Sequence, residues 1–208
     1  MVRDDPTAAD AAIPVIELRD YHRINAAVVR RLDAGADRVR LEGVDGRRLL
    51  LAGLSGPWRA VIELEGDAGP ELAFGLDAPG VVVVCRGRSG DGAGAEARAG
   101  TLLLLGPSGT AVGRRLAGAT VVATDAVGPR AGLGMSGGDL VLLGAVGPMI
   151  GERQTGGRLL IASAASVPHV GREAVGGRRF RGEPDDPDAL AALRAARSLR
   201  ARFEFEGG

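Results

Sequence analysis

Residues 102–158 decide the fold, and they read LLLLGPSGTAVGRRLAGAT (102–120), VVATDAVGPRAGLGMSGGD (121–139) and LVLLGAVGPMIGERQTGGR (140–158). These units repeat a short apolar run and two small-residue corners every 19 residues. The register extends to VIELEG at 61–66 and to LLIAS at 159–163. Such a period is typical of a solenoid. The first corner is held by Gly66, Gly87, Gly106, Asp125, Gly144 and Ser163, and the second by Gly69, Gly90, Gly109, Gly128, Gly147 and Ser166.

The repeat unit indicates why the chain must stack. Each unit offers one apolar strand and glycine-rich bends, so it can bury its apolar face only against neighbouring units. Glycine suits corners where φ is positive or where coils approach too closely for a Cβ atom. The predicted fold is all-β, a right-handed parallel β-helix of about six to seven coils with short capping helices at both ends. We assign four Gly-Pro pairs to the second corner: Gly56-Pro57, Gly69-Pro70, Gly128-Pro129 and Gly147-Pro148.

The two ends of the repeats predict the domain boundaries. Asp20 is placed to cap a helix with the apolar stripe Tyr21, Ile24, Val28 and Leu32. Asp45-Gly46, within DRVRLEGVDGRRLLLAGL (37–54), predicts a hairpin that covers the open end of the β-helix. We therefore expect a disordered tail at 1–12, an N-terminal strand, helix and hairpin cap at 13–59, the β-helix repeats at 60–179, and a C-terminal helix and tail at 180–208.

The C-terminal segment predicts one further helix. Asp186 and Pro187 occupy the N-cap and first helical positions. Leu190, Leu193 and Leu199 then form an apolar stripe among arginines. We expect this helix either to cap the last coil or to dock on a partner.

Composition argues against several classes of function. The 26 basic residues, all Arg, balance 26 acidic ones, so neither nucleic acid nor a membrane surface is an expected partner. Apolar runs such as VVVVC at 81–85 are far shorter than the roughly 20 residues that span a membrane. The N-terminus lacks the pattern of a secretory signal. Cys85 is the one cysteine, so no internal disulfide can form, and we expect a cytoplasmic protein.

Two glycine-rich stretches match ligand-binding patterns only in part. Residues 132–137, GLGMSG, satisfy the G-x-G-x-x-G dinucleotide pattern. That pattern requires a helix whose N-terminus faces the pyrophosphate, whereas DLVLL at 139–143 is typical of a strand. The run GRSGDGAG at 87–94 lacks the Lys-Ser/Thr pair of a phosphate loop. We interpret both stretches as corners of the solenoid.

Residues with catalytic chemistry are few and scattered. His22, His169 and Cys85 have no neighbours at the spacing of a nucleophile and its base, and Cys85 is expected to fill the core. A glycosidase needs paired carboxylates on one lateral face, which Asp67 and Asp125 do not provide. We predict no catalytic, cofactor-binding or metal-binding residue in this chain. A salt-bridged surface, without an aligned ladder, is expected for Arg86, Arg88, Arg114, Arg115, Arg153 and Arg158.

The repeated G-x-x-G-x-x-x-G pattern, clearest in GLGMSGGDLVLLGAVGPMIGERQTGGRLLIA at 132–162, resembles the GXGXG β-helix family. That family includes the C-terminal domain of the glutamate synthase large subunit, the β-helix subunit of formylmethanofuran dehydrogenase and the small β-helix subunit of N-methylglutamate synthase. The opening IELRDYHRINAAV (16–28), with its Asn25-Ala26 pair, is similar to the start of the last group. The resemblance covers about residues 13–200, and Asp125, Ser163 and Ser166 depart from its corner glycines.

The resemblance implies a support and not a reaction centre. In glutamate synthase-like systems, a glutamine amidotransferase unit and a barrel with FMN and an iron–sulfur cluster carry the chemistry, and the β-helix packs against them. We therefore expect a noncatalytic scaffold subunit in amino-acid or nitrogen metabolism, with FMN and the iron–sulfur cluster in a partner subunit. Two alternatives stay open: a β-helix subunit of a formylmethanofuran dehydrogenase or formyltransferase/hydrolase-like C1 complex, and a free-standing carbohydrate-active β-helix. The interface should be an exposed apolar patch.

Overall fold

The computed structural model describes residues 12–18, 20–163 and 167–205. The expected tail at 1–12, apart from Ala12, lies outside them, as do the Ser166 corner and the last three residues. The helices are α1 (Val15–Leu18), α2 (Tyr21–Asp33) and α3 (Pro187–Phe205). The strands are β1 (Ile13–Pro14), β2 (Arg38–Glu42), β3 (Arg59–Glu65), β4 (Asp77–Cys85), β5 (Ala99–Leu104), β6 (Ala117–Ala123), β7 (Gly137–Leu142), β8 (Arg158–Ile161) and β9 (Arg178–Arg181).

The nine strands form one sheet in chain order, and all neighbouring strands are parallel. Parallel neighbours that follow one another in the chain require a crossover, so each coil must travel once round before the next strand. Bridges at the second corner, such as Ser89 to Ser108 and Ser108 to Val127, are also parallel. The protein is a parallel β-solenoid of about seven turns, which confirms the expected fold class.

A regular backbone pattern turns the chain within each coil. Three residues spaced two apart have φ between 55° and 71°, for example Arg130, Gly132 and Gly134 in the fifth coil. Their main-chain N–H groups alternate in direction: Gly132 donates back to Val112, and Gly134 donates forward to Glu152. A left-handed conformation costs a non-glycine residue roughly 1–2 kcal/mol. This cost explains why glycine recurs at these positions.

The predicted hairpin at Asp45-Gly46 is wrong. β2 pairs in parallel with both β1 and β3, so the chain after Gly46 does not fold back on β2. Leu49, Leu51 and Gly53 instead supply the left-handed turn of the first coil. The apolar residues of this segment therefore form the wall of a coil and not the second strand of a hairpin.

The assignment of Gly56-Pro57 to the second corner is also wrong. This pair lies directly before β3, and the adjacent Ser55 bridges to Asp77 at the start of β4. Gly56-Pro57 therefore turns the chain into a strand, at a different point of the coil from Gly69-Pro70.

The strands are apolar on both faces. Inner-face side chains fill one continuous core, and one row of them is Ile62, Val83, Leu102, Val121, Leu140 and Leu159. Outer-face side chains form a second buried cluster with α3. Continuous apolar runs are expected when both faces of a parallel sheet are covered. The outer row consists of Val84, Leu103, Val122, Val141 and Leu160.

The two long helices occupy different places. At α2 the Asp20 side chain accepts a hydrogen bond from the His22 N–H, as predicted for an N-cap. Ile24, Val28 and Leu32 of this helix are buried in the main core, while Tyr21 is half-buried. The α2 side chain of Asn25 binds the first coil, where its Oδ1 accepts from the Leu51 N–H at 2.8 Å and its Nδ2 donates to the Leu49 carbonyl at 3.2 Å.

α3 lies along the outer face of the sheet. Its N-cap is Asp186, whose Oδ1 accepts from the Ala189 N–H at 2.9 Å. Leu193 is fully buried against the outer row, together with Ala189, Ala196 and Phe203. The helix begins beside β9, where Asp186 pairs with Arg178, and ends near β4. The sequence left two positions open for this helix, over the last coil or on a partner; the structure places it on its own sheet.

Candidate functional site

The G-x-G-x-x-G stretch belongs to the turn of the fifth coil. Gly132 and Gly134 have φ of 70° and 64° and are two of the three left-handed residues there. A Cβ atom on Gly137 would lie 2.1 Å from the Ala117 carbonyl oxygen of the preceding coil. The chain then continues into β7. These glycines therefore serve the backbone of the stack, and no helix N-terminus follows them to bind a pyrophosphate.

Two carboxylates at the corners bind backbone of the next coil. Asp67 Oδ1 accepts from the Arg88 N–H at 2.8 Å, and Asp91 Oδ1 accepts from the Thr110 N–H at 2.7 Å. Asp91 belongs to the stretch 87–94, which the sequence suggested as a possible anion-binding loop. The structure places that stretch at a corner, where its carboxylate joins adjacent coils.

The structure does not bring the histidines and the cysteine together. His22 is exposed on α2, and His169 is exposed in the seventh coil. Cys85 is fully buried on the inner face of β4, where desolvation raises the pKa of its thiol to about 11. The thiolate, which is the reactive form, is therefore scarce at neutral pH. Among the described residues, no group of three or more His, Cys, Asp or Glu could hold a metal ion.

The charged surface consists of ion pairs between successive coils. Arg115 pairs with Glu96 at 3.4 Å and Arg153 with Glu173 at 2.8 Å. The four residues hold the same left-handed turn position in their coils. The hydrogen bond between the partners raises the pKa of Arg153 and lowers the pKa of Glu173. The predicted salt bridges are confirmed here and at Arg86, Arg114 and Arg158.

The expectation of no aligned ladder is wrong for these two pairs. The interval between partners is 19 residues for Glu96 and Arg115 but 20 residues for Arg153 and Glu173. The extra residue in the seventh coil hid the second alignment from a search at constant spacing. A search for opposite charges at this turn position would have found both pairs.

The most deeply buried carboxylate holds the end of α3. Glu63, on the outer face of β3, is 1% exposed. Its Oε2 accepts from Arg86 Nη2 at 2.7 Å, and Arg38 Nε lies 3.2 Å from its Oε1. Arg86 Nη1 also donates to the Phe203 carbonyl at 2.9 Å, in the last turn of α3. A cation at a helix C-terminus is stabilising. The cluster thus ties α3 to the sheet.

Two surface grooves are lined by carboxylates that already have partners. A groove of about 280 Å³ beside α3 includes Asp139, which binds Arg158 at 2.6 Å. A groove of about 370 Å³ at the second corner includes Glu71, which lies 3.6 Å from Arg114. Neither carboxylate is placed as an uncompensated acid or base.

The expected exposed apolar patch is not present on the described surface. α3 covers the flat outer face of the sheet, and the exposed large apolar side chains among the described residues are Ile16 at 62% and Val175 at 87%. The remaining surface feature is the edge of β9, where Arg179 and Arg181 are exposed. No described helix is long and apolar enough to cross a membrane.

Comparison with family models, with curated proteins and with solved structures finds no match to this chain.

Proposed function

We propose that the chain is a noncatalytic scaffold subunit of a glutamate synthase-like complex in cytoplasmic amino-acid or nitrogen metabolism. A glutamine amidotransferase-type subunit and an FMN-binding, iron–sulfur-containing subunit would carry the chemistry. One observation carries the proposal: Gly132 and Gly134 are used for the left-handed turn of a parallel coil. The GXGXG resemblance depends on the same glycines. Their geometry therefore supports a family whose β-helix is a support.

The polar residues of the chain support the same proposal. The carboxylates of Asp67 and Asp91 accept N–H groups of the next coil. Glu63 holds Arg86 beside α3, and Cys85 fills the core. These groups make contacts that stabilise the fold, which is the pattern expected of a scaffold.

The test is co-expression of this chain with amidotransferase-type and FMN-binding subunits of the glutamate synthase kind. We expect a stable ternary complex with glutamine-dependent activity, and no assembly when this chain is omitted. The isolated chain should show no glutaminase activity, no bound flavin and no NAD(P)H oxidation. Any of these activities in the isolated chain would contradict the proposal. Assembly with formylmethanofuran dehydrogenase-type subunits instead would favour the C1 complex, and sugar release by the isolated chain would favour a carbohydrate-active β-helix.

A further inference from the structure

We propose that the open edge of β9 binds an extended acidic segment of another polypeptide, which adds to the sheet as a further strand. The inference goes beyond the proposed function, because it concerns the chemistry of one surface whichever complex the chain joins. It depends on three features: the free backbone of β9, the charge of its side chains and the different way in which the opposite end of the solenoid is closed.

The backbone of β9 has groups directed away from the sheet. The N–H groups of Arg178 and Gly182 donate to carbonyls of the β8 side, those of Gly157 and Ile161. Alternate residues of a parallel strand direct their main-chain groups to opposite sides. The N–H and C=O groups of Arg179 and Arg181 therefore face the open edge, where the described part of the chain supplies no tenth strand. Such an edge is a template for strand addition.

The side chains at this edge carry positive charge where earlier coils carry core residues. Arg179 and Arg181 are in register with Leu159 and Ile161 of β8. Both arginines are exposed. Arg179 Nη1 donates to two neutral groups, the Gln154 Oε1 at 3.0 Å and the Gly176 carbonyl at 2.8 Å.

No ion pair joins Arg179 or Arg181 to a carboxylate of the described residues. Arg178, on the opposite face of β9, differs because it pairs with Asp186. Two uncompensated cations therefore stand two residues apart along the edge. An incoming strand with acidic side chains at alternate positions would place both carboxylates opposite them, and opposite charges on facing strands stabilise a sheet.

The opposite end of the solenoid is closed by the chain itself. α2 covers the first coil, and Asn25 binds the N–H of Leu51 and the carbonyl of Leu49. At the β9 end, α3 turns onto the outer face and ends near Arg86. The described elements thus provide a cover for one end and leave the other to water or to a partner.

A second copy of the chain is not the occupant that fits this edge. Pairing of two β9 strands would bring the arginines of one copy against those of the other, and like charges directly opposite destabilise a sheet. Charge complementarity instead selects an acidic strand from a different polypeptide. The competing explanation is that the arginines only block the edge against aggregation.

The test is a titration of the full chain, labelled with ¹⁵N, with the acetylated and amidated peptide Thr-Glu-Val-Glu-Thr. We expect saturable shifts concentrated at the backbone N–H signals of Arg179 and Arg181, and weaker binding at high salt because exposed charges are screened. The double variant R179E/R181E should bind about tenfold more weakly and should prefer the peptide Thr-Arg-Val-Arg-Thr. Arg181→Glu alone leaves the Arg179–Gln154 hydrogen bond intact and should weaken binding in the same direction.

The matched control is R194E/R197E, which makes the same charge change on the exposed side of α3 and should bind the acidic peptide with unchanged shifts at β9. Absence of saturable shifts at β9, equal binding of both peptides by the parent chain, or shifts located on α3 would overturn the inference and leave a blocked edge only. The proposed function fails in a different experiment, the co-expression, so the two failures can be distinguished.

Discussion

Individual glycines in this chain solve two different steric problems. Gly134 has φ of 64°, and a Cβ atom there would meet nothing closer than the Arg115 Cγ at 3.6 Å. A Cβ atom on Gly156 would lie 2.1 Å from the Ser136 carbonyl oxygen of the preceding coil. The first glycine is required for its conformation, and the second for the approach of two backbones.

Alanine substitutions should separate these two requirements. Gly134→Ala should lower the free energy of unfolding by about 1–2 kcal/mol, the cost of a left-handed alanine. Gly156→Ala should cost clearly more, because the coils must move apart to admit the methyl group. Urea unfolding of both variants measures the difference. Equal costs would contradict the assignment of Gly156 to a close backbone contact.

The thiol of Cys85 gives a pH-dependent prediction at the same scale. Burial raises its pKa from 9.0 to about 11, so the folded protein holds its proton more tightly than the unfolded chain does. The resulting contribution to stability is fully present below 9.0 and is lost as the pH rises through about 11. Urea unfolding across this range should therefore show a decline that Cys85→Ala reduces. The native thiol should also resist alkylation at neutral pH, and fast alkylation would contradict the buried position.

At the scale of elements, α2 depends on one amide side chain. Asn25 Oδ1 accepts from the Leu51 N–H at 2.8 Å, and its Nδ2 donates to the Leu49 carbonyl. Asn25→Leu removes both partners and should cost about 1–3 kcal/mol, because it leaves these backbone groups unpaired in a partly buried site. The neighbouring Ala26 is exposed, and Ala26→Ser should change stability little. If the two variants unfold at the same urea concentration, Asn25 does not close the first coil.

Sequence periodicity predicts the strands but not every connection between them. Asp45 and Gly46 have φ of 36° and 71°, the two positive values that a tight hairpin turn requires. The local turn was therefore predictable, whereas the topology was not, because the chain then adds three more left-handed residues. The non-glycine residues Leu49 and Leu51 hold two of those positions, and intrinsic preference gives no signal for them.

The position of α3 depends on information that a local pattern does not contain. The leucine stripe predicted a helix with one apolar side, and Leu193 is fully buried as that stripe implies. The outer row of the sheet is also apolar, as runs such as VVVVC at 81–85 indicate. Each pattern predicts a covered surface, but neither names the surface that covers it. That choice depends on the connection after β9 and on the Arg86 contact with the Phe203 carbonyl.

At the scale of the whole molecule, the stack has unequal ends. In a solenoid each coil contacts mainly its neighbours, so the terminal coils decide whether the stack stops or continues. Here the first coil is covered by α2, while the last presents arginines in two positions that hold Leu159 and Ile161 one coil earlier. The two arginines keep the final coil from offering an apolar edge to a second copy.

Replacement of these arginines by the residues of the preceding coil should therefore create a self-association surface. R179L/R181I gives β9 the inner-face side chains of β8 and removes the repulsion between facing copies, so a hydrophobic edge with free N–H groups remains. We expect a shift toward dimers or larger species, measured by analytical ultracentrifugation over a range of concentrations. R194L/R197I makes a comparable change on the exposed side of α3, which has no free strand edge, and should not cause the shift. Association of the control alone would show that added apolar surface, and not the open edge, drives assembly.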